Sequence, residues 1–418
     1  MKTAHCPSCG ADVEFRVPAS VMAVCGYCRS TLVRTDAGLE NLGRMAELMD
    51  DPTLIQLGAT GHWRKQGFTV VGRIQLRYRQ GLWNEWHLLF DNGRAGWLGE
   101  ASGQCTVSFL TPPQEPLPPH GTLKPGAQLT LSGHRFTVTD LEEGHCVAGE
   151  GELPFRVGAG FPAASVDLRS GAAFATIDYS EAPPLLFLGE SVAFADLRLA
   201  GLRQSAAPGQ AQAQALRCSS CGAPIAVTTP GVKSVACGSC HAILDAADPQ
   251  LKILSRFAAR TTVKPAIALG REGVFEAEKF RVIGFLVRGL AGPTRYAWRE
   301  YLLHNPRLGF RWLTESDGHW NWVQPLASNP TAARDKAGRE ALLFDGMLYR
   351  HFSSATAEVS YVAGEFYWQV AAGEAALVSD YIAPPQVISQ EKSENEILWS
   401  LGRYLAPAAV QEAFGLDA

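Results

Sequence analysis

Eight of the ten cysteines fall into two copies of one frame, C-x2-C-x15-C-x2-C: Cys6, Cys9, Cys25 and Cys28, then Cys218, Cys221, Cys237 and Cys240. Two thiolates separated by two residues grip one ion from a single tight turn, and fifteen residues are enough for a hairpin to bring back the second pair. Four thiolates then close a tetrahedron around zinc. Because cysteine fills every position, no coordination place is left for water, so the expected cofactor is two structural zinc ions rather than a catalytic one. A redox dithiol would need one pair near a βαβ unit and a disulfide framework an oxidising compartment; four pairs in two matched frames favour metal, with iron the lesser option. His5 and His241 border the frames and are read as neighbours of the ion rather than ligands.

The frame needs particular elements to hold it. Gly10 and Gly222 follow the second cysteine of each first pair, where a positive φ turns backbone N–H groups toward sulfur, and Gly26 and Gly238 are expected to serve a similar turn inside the second pairs. "VEFRV" alternates as a strand does, and "TTPG" signals a turn. Cys105 and Cys146 lie outside both frames in strand-like segments and read as small core residues.

The shift of 212 residues continues past the cysteines. It carries "IQLG" at Ile55–Gly58 onto "IALG" at Ile267–Gly270, and matches Phe68 with Phe280, Val70 with Val282 and Gly72 with Gly284. After a loop it becomes 215, where "WNEWHLL" from Trp83 meets "WREYLL" from Trp298, and Trp97-Leu98 meets Trp312-Leu313. "VAGE" at Val147–Glu150 recurs at Val362–Glu365, and "DYSEAPP" at Asp178–Pro184 resembles "DYIAPP" at Asp380–Pro385. The chain reads as an internal duplication of a whole module.

Between each ribbon and its "G-x-x-G" the sequence predicts a short helix, over "AGLENLGRMAELM" in copy one and "PQLKILSRFAAR" in copy two, the latter with Asp248 as cap and Pro249 in the first turn. The remaining runs, such as "FTVVGRIQLRYR", "NEWHLLF" and "KFRVIGFLV", are short, β-rich and bounded by Gly and Pro. The fold class is therefore mainly β: a tandem duplication of a four-cysteine zinc ribbon, a short helix and small antiparallel β-sheet or barrel units. The expected boundaries are ribbon 1 at 1–35, a helix and β unit at 36–110, a second β unit at 120–203, a linker at 204–216, ribbon 2 at 217–247, a helix and β unit at 248–328 and a last β unit at 339–418.

Other residues could carry binding. Trp83 and Trp298 suit either core staples or one face of a site, and Glu85 and Glu300, matched acids beside aromatics, suit an edge-strand charge or a partner for a buried donor. Lys252, Arg256 and Arg260 fall four apart, so a helix would align them as a basic stripe for phosphate or an acidic partner; a solvated face is the plainer reading. Phosphate loops, HExxH, GxSxG and Rossmann fingerprints are missing from the sequence, and no convergent catalytic set emerges.

The net charge of −4 and the nearly even balance in each half give no strong field for nucleic acid or an anionic membrane. The start "MKTAHCPSCG" lacks a signal-like apolar run and no stretch of about 18 apolar residues occurs, so the expectation is a cytoplasmic protein without a membrane span.

The ribbon, the "G-x-x-G…F-x-V-x-G" stretch, the W-x-E-[WY] motif and the closing "ILWSLGRYLAP" resemble a bacterial family known as domain of unknown function 4178, with one such domain after each ribbon. Copy one departs at its end, where "LFLGESVAFADLRLAGL" replaces the W-S-L-G segment. The resemblance implies an accessory component accompanying membrane-stress or polyamine-linked systems, without an established activity or settled residue roles. The leading reading is a non-enzymatic adapter or scaffold that binds protein partners. A nucleic-acid-binding ribbon protein is the alternative, and an enzyme or binder of a small cationic ligand the second alternative.

Overall fold

The computed structural model describes residues 2–416 except 19, 36–37, 50, 52, 79–80, 102–103, 204–215, 230, 247, 249, 257–262 and 292–295. The chain separates into two compact units, Met1–Ser205 and Ala206–Ala418. Most of the expected linker lies outside the described residues.

In the first unit, the strands Gln66–Tyr78, Gly81–Phe90, Ala95–Ala101 and Gln104–Leu110 form one antiparallel meander, and His134–Leu153, Phe161–Ser170, Ala173–Asp178 and Leu185–Val192 form another. Each meander leaves two unpaired edges. The first strands of the two meanders pair with each other, as do the last, so the two halves close one eight-stranded barrel. Closure removes the edges that would otherwise recruit foreign strands. The second unit repeats the ring with Glu278–Leu290, Ala297–Asn305, Gly309–Ser316 and His319–Pro325 against Met347–Phe366, Ala375–Ala383, Gln386–Lys392 and Ile397–Leu405.

The twenty-residue strands His134–Leu153 and Met347–Phe366 do more than line the barrels. Their far ends pair with ribbon strands, Leu153 with Met22 and Glu365 with Val235, so one continuous strand ties each ribbon to its barrel. The junction needs glycine. Gly151 and Gly364 have φ of 69° and 89°, and a Cβ would lie 2.3 Å and 2.2 Å from the carbonyl oxygens of Val71 and Ile283. Apolar packing runs through the same junction: Met22 and Val33 of the ribbon share a cluster with Leu76 and Cys146, and Ala236 and Ile243 share one with Leu286 and Val359.

Among the described residues, neither expected helix forms. Gly38–Arg44 is a strand paired with Ser30–Thr35, and Ile253–Arg256 is a strand paired with Ala242–Asp245; each adds an edge to its ribbon sheet. Two glycines in seven residues weaken a helix in copy one by about 1 kcal/mol each. In copy two, Asp248 accepts the Gln250 N–H in a turn instead of capping a helix, and Leu251 takes a positive φ of 49°. The described α-helix is Pro407–Phe414, opened by proline and closed by Gly415 at φ 56°. Its Val410 and Phe414 cover the outer wall of the second barrel, where the first unit uses the 3-10 turn Phe194–Leu197.

Two sequence matches also move. Glu152, not Glu150, corresponds to Glu365, because Gly151-Glu152 and Gly364-Glu365 make the same junction. The "DYSEAPP" and "DYIAPP" segments are not counterparts: one starts at the end of the third strand of its meander, and the other forms the end of the second. Cys105 and Cys146 are buried, and burial pushes both thiols up.

Candidate metal centres and barrel interiors

Each four-thiol frame closes in space. Cys6 and Cys28 sulfurs lie 3.6 Å apart and Cys9 and Cys25 sulfurs 3.7 Å; the pairs Cys218–Cys240 and Cys221–Cys237 are both at 3.7 Å. Within each set all four sulfurs lie inside 4.8 Å of one another. A tetrahedral ion with Zn–S bonds of about 2.3 Å needs sulfur edges of about 3.8 Å, so the donors suit such an ion and are too far apart for disulfides.

The same turn is used four times to aim the sulfurs. After each Cys-x-x-Cys, the next residue donates its N–H to the carbonyl of the first cysteine: Gly10 to Cys6, Arg29 to Cys25, Gly222 to Cys218 and His241 to Cys237. All four donors have positive φ, between 56° and 75°. Gly26 and Gly238, expected to take that conformation, do not; the strain falls on Arg29 and His241 instead. At the first centre, hydrogen bonding from Ser30 brings the Cys28 thiol down to about 6, while Cys9, despite the Ala11 N–H that lowers it, is pushed up to about 12 by burial and its thiol neighbours. Four thiolates together call for a cation.

A carboxylate that sequence reasoning missed anchors each centre to its barrel. Glu152 accepts the N–H groups of Arg16 and Val17, at 2.8 Å and 3.0 Å, and the Ser20 hydroxyl at 3.1 Å. Glu365 accepts the N–H groups of Thr228 and Thr229 and the Thr228 hydroxyl, each at 2.8 Å. Both are buried, so these bonds replace lost hydration. The available signal was the repeated Gly-Glu pair.

The W-x-E motif splits between the two sides of the wall. Trp86 and Tyr301 are fully buried in the outer core, while Trp83, Glu85, Trp298 and Glu300 are half-buried and face the interior. Cross-strand register makes the copies equivalent: Trp83 stands opposite Leu76, and Trp298 opposite Arg288. In both, the indole hydrogen-bonds the glutamate two residues on, at 2.6 Å for Trp298 and Glu300.

The interiors differ at one matched position, Leu76 in the first and Arg288 in the second. Arg288 reaches across the second barrel to Glu391, at 2.7 Å and 3.1 Å, and lies 3.7 Å from Glu300. Burial raises Glu300, with Arg288 opposing it. In the first barrel, burial, then Asp178 and Asp167, push Glu85 up to about 8. Asp178 is carried by the strand diametrically opposite Glu85, so the coupling acts through the interior.

The basic stripe is not formed as expected. Lys252 is exposed, Arg256 ends a strand, and Arg260 lies outside the described residues. No helix among the described residues is long and apolar enough to cross a membrane.

The sequence matches the family described as Domain of unknown function (DUF4178) twice, over residues 56–194 and 268–407. Each match begins beyond the cysteine frame and spans the barrel strands. No curated protein and no solved structure matches the chain.

Proposed function

Since the chain belongs to the DUF4178 family, whose description assigns no activity, we propose that it is a non-enzymatic adapter whose two zinc-stapled modules present their barrels to protein partners. The closure of both four-cysteine sets carries this reading. Every ligand position is a thiolate, so a bound zinc has no place for substrate or water and acts on folding alone. Cys6, Cys9, Cys25 and Cys28 would hold one ion, Cys218, Cys221, Cys237 and Cys240 the other. A reducing compartment such as the cytoplasm keeps these thiols available. The Glu152 and Glu365 clamps pass the order of each ribbon to its barrel. Two modules on one chain raise apparent affinity for a bivalent partner through effective concentration.

The test is cross-linked affinity capture from the native cell, with wild type and a Cys25→Ser, Cys237→Ser double variant. A defined protein set, retained by wild type and lost by the variant, is expected. Recovery of nucleic acid or small metabolites without protein contradicts the reading.

A further inference from the structure

We propose that the interior of the first barrel binds a small organic cation with a guanidinium head, held between Glu85 and Asp178. The second barrel shows the arrangement occupied by a side chain of its own. Its Glu300 and Glu391, on diametrically opposite strands, receive the Arg288 guanidinium. Two internal hydroxyl–carboxylate pairs fix the correspondence: Thr176 donates to Asp167 at 2.7 Å, and Ser389 to Asp380 at 2.6 Å. Two residues beyond Thr176 and Ser389 stand Asp178 and Glu391.

The first barrel keeps both carboxylates and lacks the arginine, because Leu76 occupies the Arg288 position. Among the described residues, no basic nitrogen lies within ion-pairing distance of Glu85 or Asp178. Asp178 accepts the Ser180 N–H at 2.8 Å, and Glu85 is bonded to Trp83. That leaves acceptor capacity on both. Each is half-buried, and between them the Tyr78 side chain reaches from its own strand to Ser165, the residue paired with Asp178.

Guanidinium is the class this geometry selects. Its planar fork matches two carboxylates, and it stacks on aromatic rings. Trp83 and Tyr78, with ring centroids 4.4 Å apart, supply an aromatic wall beside Glu85. Of the other charged groups nearby, Asp167 and Glu142 add negative charge, and the buried Arg169 guanidinium, hydrogen-bonded to Ser191 and Gln104, opposes that of Asp167 and Asp140. With Glu85 holding its proton to about pH 8, cation binding at neutral pH releases a proton and strengthens as pH rises.

Isothermal titration of the full zinc-loaded chain with butylguanidinium, and with butylurea as the neutral isostere, tests this. One saturable site per chain is expected for butylguanidinium and none for butylurea. Glu85→Gln should weaken binding at least tenfold, and Leu76→Arg, which supplies the internal cation of the second barrel, should abolish it. Glu85→Gln decides the matter alone if Leu76→Arg does not fold. No saturable heat with the cation, equal heat with the urea, or unchanged affinity in Glu85→Gln overturns the proposal.

Discussion

At one point in two barrels of the same topology, the first copy has Leu76 facing inward and the second has Arg288. Earlier on the same strands the exchange runs the other way: Arg73 lies over the Trp86 ring at 4.7 Å on the outside of the first barrel, where the second packs Phe285 against Tyr301 at 5.0 Å. The duplicated module has in effect moved an arginine from one side of the sheet to the other. The strand register tolerates both arrangements because each arginine finds its own acids, Asp51 outside the first barrel and Glu391 inside the second. What changes is the pair of carboxylates left behind: Glu300 and Glu391 have an arginine between them in one copy, and Glu85 and Asp178 have none at that position in the other.

The largest effects should come from the part the copies share. Cys25→Ser or Cys237→Ser is expected to remove one zinc, unfold its own ribbon and loosen the barrel joined to it while leaving the other unit folded, since binding of a structural zinc is worth on the order of 10 kcal/mol. Native mass spectrometry with hydrogen exchange checks this; loss of both ions from either variant would break the comparison by showing one cooperative metal system.

Next is Arg288→Ala, which strands Glu300 and Glu391 in the second barrel. Removing one partner of a buried pair typically costs about 3–5 kcal/mol, and the partial exposure of Glu391 puts the expectation at roughly 3 kcal/mol. Denaturant unfolding measures it. A loss below about 1 kcal/mol would show that the second interior does not depend on its cation.

Glu152→Ala and Glu365→Ala should each cost roughly 2–3 kcal/mol, because each uncovers two backbone N–H donors that bond a charged acceptor. Similar losses in the two variants sharpen the view that the clamps are equivalent. A difference of more than about 2 kcal/mol would count against it.

The parts legible in the sequence were those set by local spacing. The cysteine frames specify their turns, and paired landmarks such as Trp83 and Trp298 survive because both stand on the same wall position. The helices were misread because apolar residues at Leu251, Leu254 and Phe257 fit a three-residue period, whereas the ribbon sheet offered an edge that local propensity does not register. Barrel closure was hidden for the same reason: it depends on pairing Gln66–Tyr78 with His134–Leu153 across a proline-rich joint. The Glu85–Asp178 relation could not be seen at all, since residues on opposite strands of a ring carry no sequence signal of facing each other.

The smallest expected effect is also the most direct test of the difference between the barrels. Because the folded protein holds the Glu85 proton that the unfolded chain releases near 4.5, stability of the first unit should fall as pH rises from about 4.5 to about 8 and level off above it. With partial solvent access, the loss is expected to be roughly 1–3 kcal/mol. Carbon-13 NMR titration of the Glu85 and Glu300 side-chain carboxyls reads the cause residue by residue. Glu85 is expected to lose its proton near pH 8 and Glu300 to lose its own at lower pH beside Arg288, with Leu76→Arg bringing Glu85 down toward Glu300. A Glu85 carboxyl that titrates in the ordinary range, or together with Glu300, would contradict the claim that Arg288 is what sets the two matched glutamates apart.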